Sequence, residues 1–453
     1  MKTYLSGSMT PVADEIEAFD LEVTGALPLE LRGRYFRNGP NPLPGTDPGH
    51  NFTGHGMLHG LRIADGRALW YRNRWIRTAL FDGAQPDRSD RAKSLVTTVA
   101  NTHVVHHAGR ILTLVENGLP HQMTAEMDTV GTCDFGGRLT TAMTAHPKVD
   151  PATGELHFFG YGAQPPFLTY HVLSTGGELV RSTPITVGGP TMMHDFAITE
   201  HHVVWLDLPV VFAPDPELRP SMPYAWSDSY APRIGVMPRD GGDADVRWID
   251  VAPGYAFHVG NAHEDAAGRI VVDAVRYDEA GFANVWDVLG GTRSLADGLA
   301  STGGTLYRWT LDPATATVSE QALDDRPVEF PTLNDEFTGR GHRYVYAVGT
   351  PVLINAANGP SIVKYDTTKE TKQVRDLAPG WVPGESVFVP AADGTDEDHG
   401  WLMSIVTHET ADTAHLLVLD ATDVTGDPVA TVTLPRRVPI GFHGSWIGDD
   451  ELG

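Results

Sequence analysis

Short runs of β-branched and aromatic residues alternate with polar positions along the whole chain, and Gly, Asp, Asn or Pro separates them. That alternation marks half-buried strands, and the separators mark turns. About seven groups of strand–turn–strand material can be told apart. They are GMLHGLRIADGRALWYRNRW; HVVHHAGRILTLVENG; GELHFFGYG with FLTYHVLSTGGELVRSTPI; HHVVWLDLPVVF; GRIVVDAVRY with GTLYRWTLD; HRYVYAVGT with SIVKYDTTKETKQVRDL; and WLMSIVTHE with AHLLVLDATDVTGDPVATVTL. Long helical periodicity is almost absent. The groups start several tens of residues apart, the scale of a propeller blade, a small antiparallel sheet that buries its faces only against neighbours. A multi-sheet sandwich is the alternative. The irregular stretches 211–245 and 278–302 are too long for hairpin turns, so loops or short helices over one end of the body are expected there. No linker rich in Gly, Ser or Pro divides the chain, and a single all-β domain over residues 1–453 is the expectation.

Composition narrows the function classes. Hydrophobic residues at 41% and charged residues at 20% are globular levels, which exclude general disorder, and Gly 48 with Pro 33 suits many turns. A net charge of −25 repels nucleic acid and anionic headgroups, so neither is expected as a main partner. The single cysteine, Cys133, excludes an intrachain disulfide and any cysteine-based zinc or iron–sulfur site. The first residues carry no basic segment before an apolar run, so a soluble, cytoplasmic protein is expected. Residues 208–212 and 278–300 are apolar enough for peripheral membrane contact, or equally for core and cap packing.

Four of the 20 histidines stand in distinctive frames: His146 in TAHPKVDP, His194 in MMHDFAI, His258 in FHVGNAHED and His443 in GFHGSW. No two are near enough in sequence to hold a metal as a local pair. Only a fold that returns distant segments to one point, as a radial β-structure does, makes a site of them. Pro147 biases His146 toward an extended or turn conformation. The clustered His103, His106, His107, His201 and His202 are expected on exposed turns. Four neutral imidazoles suit iron(II), copper or zinc by softness alone. Glu116, Glu329 and Glu385 lie in apolar strand settings, and either anchor histidine ring nitrogens or face solvent at strand ends. No HExxH, GxSxG or Walker lysine loop is present, and GYGAQ lacks the helix that a dinucleotide site needs. His263, Glu264 and Asp265 form a metal-like cluster better suited to capping a hairpin.

RYFRNGPNP (34–42), GHGMLHG (54–60), the four histidine frames and the three glutamate frames, in this order from about residue 20 to 446, resemble the carotenoid cleavage oxygenases. The resemblance implies a seven-bladed β-propeller with a loop-and-short-helix cap over an axial metal site. It implies one non-haem Fe(2+) per chain, held by His146, His194, His258 and His443. Glu116, Glu329 and Glu385 would orient His194, His258 and His443, leaving His146 without a glutamate. Thr102, fourteen residues before Glu116, matches a side chain that crowds a vacant metal position. The implied reaction is O2-dependent scission of a C=C bond into two carbonyl products, on a small hydrophobic alkene and with no obligate protein partner. Two departures stand out. His55 replaces a residue that is often Asp, with a local structural effect expected. Val115 stands where stilbene-cleaving members carry a Lys that holds the phenol oxygen. An apocarotenoid or related conjugated alkene is therefore the expected substrate, with a stilbene or phenylpropanoid alkene such as resveratrol or isoeugenol as the alternative. A non-catalytic polyene-binding propeller is a second alternative, and motifs do not separate cleavage from isomerisation at the same iron.

Overall fold

A computed structural model describes residues 2–85, 87, 90–213, 222–293, 303–349 and 359–452. Its strands form seven antiparallel sheets set radially as propeller blades, with a small two-stranded hairpin beside them. Each of the seven sequence groups falls in a different blade. The local reason is visible in the first: within Arg67–Trp75 burial alternates from Tyr71 to Trp75, with Arg72 and Arg74 as the less buried positions. Asp65 and Gly66, both at positive φ, close the two-residue turn before it. Such a turn matches the twist of the strands it joins.

The first blade consists of Glu17–Phe19, Arg67–Trp75, Gly56–Ala64 and Gly33–Pro40, with Gly444–Gly448 as its inner strand. Blades two to five begin at the axis with His103–His107, Lys148–Val149, Ala197–Ile198 and Tyr255–Glu264, and run outward in chain order. The sixth begins with Glu329–Thr332. In the seventh, Val387–Pro390 and Trp381–Pro383 both pair with Gly400–His408, and Val23–Gly25 adds the outermost strand. The two chain ends thus stitch the ring. A C-terminal strand completes the first blade from inside and an N-terminal strand completes the last from outside. Between blades the faces are apolar, with Tyr35, Leu61, Tyr71, Met403 and Leu416 among the side chains buried where the first and seventh meet.

The irregular stretches carry more order than their sequences suggest. Residues 211–245 hold part of the hairpin Val210–Phe212 with Tyr224–Trp226, and also Arg233–Pro238, the third strand of the fourth blade. Glu279–Leu289 is an eleven-residue helix whose Asp278 side chain accepts from Gly281 N at 2.7 Å. Phe282, Val285, Trp286 and Leu289 share its buried face at helical spacing. A shorter helix, Arg91–Val96, is capped by Asp90. The parts of these stretches at 214–221 and 294–302 lie outside the described residues. In the apolar run 208–212, Leu208 and Val210 are core residues while Val211 and Phe212 are half-buried. Among the described residues no helix is long and apolar enough to cross a membrane.

Candidate metal centre

Four inner segments meet on the axis, and each brings one histidine. His146 precedes the inner strand of the third blade, His194 that of the fourth and His443 that of the first, while His258 lies within that of the fifth. All four are buried. Nε2 of His194 is 3.1 Å from Nε2 of His146 and 3.2 Å from Nε2 of His258. The ring of His443 closes the group, its centroid 4.6 Å from that of His146 and 4.8 Å from that of His258.

Backbone chemistry sets these rings in place. Thr144 Oγ1 accepts from His146 N at 3.1 Å. Asp195 accepts from Val259 N at 2.8 Å and pairs with Lys148 at 2.9 Å, which ties the segments of His146, His194 and His258 together. His443 N donates to Thr102 O, and Asn38 N donates to His443 O. The Gly39 and Gly441 backbones cross so closely that a Cβ on Gly39 would lie 2.5 Å from Gly441 Cα. Only glycine fits there, which gives both the RYFRNGPNP and GFHGSW frames a steric cause.

A carboxylate stands behind three of the rings. Glu385 Oε1 is 2.8 Å from His443 Nδ1, and its other oxygen accepts from Gly444 N at 2.8 Å. Glu329 Oε2 accepts from His258 Nδ1, while its Oε1 accepts from the Tyr277 hydroxyl at 2.8 Å. Glu116 Oε1 lies in ion-pair contact with His194 Nδ1, off the line of a regular hydrogen bond, and its Oε2 accepts from Tyr161 at 2.5 Å. The carboxylate nearest His146 is again Glu116, 4.0 Å from Nε2. Burial pushes Glu329 and Glu385 up to about 7. Burial and the neighbouring imidazoles hold His146, His258 and His443 well below the ordinary histidine range. At His194 burial acts in the same direction, but the Glu116 and Asp195 charges outweigh it and raise the pKa.

These contacts decide what the cluster can hold. A ring whose Nδ1–H points at a carboxylate presents a lone pair on Nε2. Lone pairs facing one another at about 3 Å repel unless a cation lies between them. Among the described residues, His146, His194 and His258 are the group whose donor atoms converge tightly enough for one ion, and His443 adjoins them. Neutral imidazoles without a ligating carboxylate fit a divalent first-row metal.

Above the cluster lies a cavity of about 330 Å³, within the range of small-ligand sites. Phe52, Val115, Phe257, Leu289, Phe330 and Phe442 supply its apolar wall, drawn from the cap and the blade tops. Thr102 lines it as well, with its hydroxyl donating to Asn101 Oδ1 at 3.1 Å. Val115 is buried next to Glu116 and puts no charge into the space. Phe330 has φ +52°, a left-handed backbone that costs a bulky residue about 1–2 kcal/mol. His55 packs edge-on against Phe81, a local role.

Sequence reasoning misplaced or missed several side chains. His103 and His107 are not on exposed turns. They begin and end the inner strand of the second blade, and the His103 ring lies 5.0 Å from that of His443. His106 is half-buried in the same strand and His202 half-buried in the fourth blade, while His201 is exposed. A histidine-rich run before an Ala-Gly turn looks like surface until the ring of blades covers it. Tyr161 and Tyr277, which hold Glu116 and Glu329, carry no local signal because each partner comes from a different segment. Asp265 caps its hairpin turn by accepting from Ala267 N and Arg269 N, both at 2.9 Å. Glu264 instead braces the fourth blade, accepting from Thr199, His201 and His202.

The bracing at Glu264 gives a pH expectation. Its donors outweigh burial and lower its pKa from 4.5 to about 2. A depressed carboxyl stabilises the fold fully above its unfolded value and loses that contribution as pH falls through its folded one. Glu264→Gln should therefore lower the melting temperature by a constant amount above about pH 5, and the difference should shrink to nothing toward about pH 2. A difference independent of pH over that window would refute the assignment.

Known proteins place this architecture. A family model described as retinal pigment epithelial membrane protein matches residues 9–448. The chain is 39% identical to the carotenoid cleavage oxygenase of Mycobacterium tuberculosis, over 98% of this chain and 97% of the relative. The crystal structure of Pseudomonas brassicacearum lignostilbene dioxygenase is 28% identical, with a TM-score of 0.86 over 99% of each chain. Cobalt-substituted Synechocystis ACO is 29% identical, with a TM-score of 0.83 over 97% of each chain. With the family model and the mycobacterial relative both matched over nearly its full length, the chain belongs to the retinal pigment epithelial membrane protein/carotenoid cleavage oxygenase family, a family of non-haem metal-dependent dioxygenases.

Proposed function

We propose that the protein is an Fe(II)-dependent dioxygenase that cleaves one C=C bond of an apocarotenoid or related conjugated alkene. One alkene and one O2 give two carbonyl products, with no other reductant. His146, His194, His258 and His443 hold the ion, and Glu116, Glu329 and Glu385 orient three of them. When bound, the iron supplies the one-electron chemistry that lets triplet dioxygen react with a singlet alkene. The residues do the rest. Neutral imidazoles leave the charge of the ion uncompensated within the ring, and the carboxylates behind them return donor strength. Thr102 narrows the space above the ring, and the apolar wall holds the polyene and excludes bulk water. The whole described chain works as one domain in this reading.

The observation that carries the substrate class is the lining of the upper cavity, which among the described residues includes no lysine or arginine. Its two acids, Glu116 and Glu329, are engaged by Tyr161 and Tyr277. A phenolate would find no counter-charge there, whereas a polyene needs none. The likeness to the lignostilbene dioxygenase structure supports a stilbene or phenylpropanoid substrate as the second reading. Aerobic incubation of iron-loaded protein with a long apocarotenal, resveratrol and isoeugenol, followed by mass spectrometry, tests the choice. Two carbonyl fragments from the apocarotenal alone are expected. Fragments from a phenolic alkene alone would overturn the assignment of the cavity.

A further inference from the structure

A second cavity, of about 770 Å³, meets the histidine cluster from the other side and follows the propeller axis. Lys148, Asp195, Asp335 and Glu451 stand in its wall, and its inner end reaches His146, His258 and His443. A void of this size with charged walls holds water. The cavity above the cluster is apolar. The side chains common to both linings are His258, Phe330 and His443. Two of these belong to the proposed metal ring, and Phe330 is the apolar member of the boundary.

The Phe330 ring is set against both histidines, 5.1 Å from His258 and 5.3 Å from His443 between centroids. It is held there by an unusual backbone. In a regular strand consecutive side chains point to opposite faces. Here Phe330 takes φ +52° and its N–H donates to Glu329 Oε2 at 2.7 Å, while pairing with the next strand slips between Glu329 and Thr332. The kink lets Glu329 reach His258 while the following ring also turns to the cluster. A glycine would serve the backbone at lower strain, so the phenyl ring itself needs a reason.

We propose that Phe330 is a partition that keeps the water of the axial channel out of the apolar cavity, and so helps to set the preference for an apolar alkene. The substrate part of this inference rests on the function proposed above. The separation of water does not, and it can be read without turnover.

The test uses iron-loaded Phe330→Gly and Phe330→Leu beside the wild-type holoprotein. Glycine accepts φ +52° and removes the ring, while leucine keeps apolar bulk at the same place. Crystal structures would show ordered water, and anaerobic titration with a long apocarotenal, followed by absorbance, would give affinity. Phe330→Gly should retain iron and show ordered water running from the Lys148 side to Val115. It should also bind the apocarotenal about tenfold more weakly, as expected when an aromatic face gives way to water. Phe330→Leu should lie between it and the wild type. A dry upper cavity in Phe330→Gly overturns the proposal. So does loss of iron from both variants, because the ring would then be holding the histidines in place. If the wild type takes up no apocarotenal, the function proposed above fails, and the hydration result alone decides the partition.

Discussion

Replacing His258 by alanine should empty the centre of metal and lower turnover by more than the about 100-fold that marks the loss of an outer partner of a metal ligand. His258 stands at the crossing of the site. Its Nε2 faces that of His194 at 3.2 Å, its Nδ1 meets Glu329, and its ring adjoins both cavities. Alanine removes a donor and also leaves the Glu329 carboxylate buried without its imidazole, a further stability cost of about 1–3 kcal/mol. Metal analysis of the purified variant, beside a thermal melt, separates the two effects. A variant that melts cooperatively but carries no iron confirms the ligand. Iron content and turnover that survive would remove His258 from the centre.

The second large effect belongs to Glu329. Glu329→Gln keeps an acceptor for the Tyr277 hydroxyl and nearly the same shape, but takes away the charge behind His258. Iron affinity should fall by about 10–100-fold while the fold is retained. Glu329→Ala should cost more, because Tyr277 and the His258 ring nitrogen then both lose a partner in a fully buried setting. Competition with a chelator at fixed free iron measures the first, and the difference in melting temperature between the two variants measures the second. Equal iron affinity in wild type and Glu329→Gln would mean that the carboxylate only fills space.

Much of the fold is local and could be followed along the chain. Period-two alternation and short turns such as Asp65-Gly66 act over a few residues, which is why all seven groups can be separated before any packing is known. The helix Glu279–Leu289 lies where loops or short helices are expected, but its Asp278 cap and its buried face at helical spacing come from the structure and not from that reading. The centre is another matter. The residues alone singled out the four histidines by their frames but left Glu116, Glu329 and Glu385 open between ring partners and solvent-facing strand ends. Only resemblance to a family made the histidines one ligand set with glutamates behind three of them.

The reason lies in sequence separation. His146 and His194 are 48 residues apart and His194 and His258 a further 64, so no periodicity can bring their ring nitrogens to about 3 Å. Ring closure does so, when Gly444–Gly448 pairs with Gly33–Pro40 and carries His443 to the axis. Closure also turns His103 inward from a run that reads as surface, gives Tyr161 and Tyr277 their glutamates, and sets Phe330 between a wet channel and an apolar one. Local patterning determined which segments are strands and which side of each is apolar, because those are properties of neighbours in the chain. Which polar groups share one buried point depended on how the blades close around the axis, because that point exists only once all of them are in place.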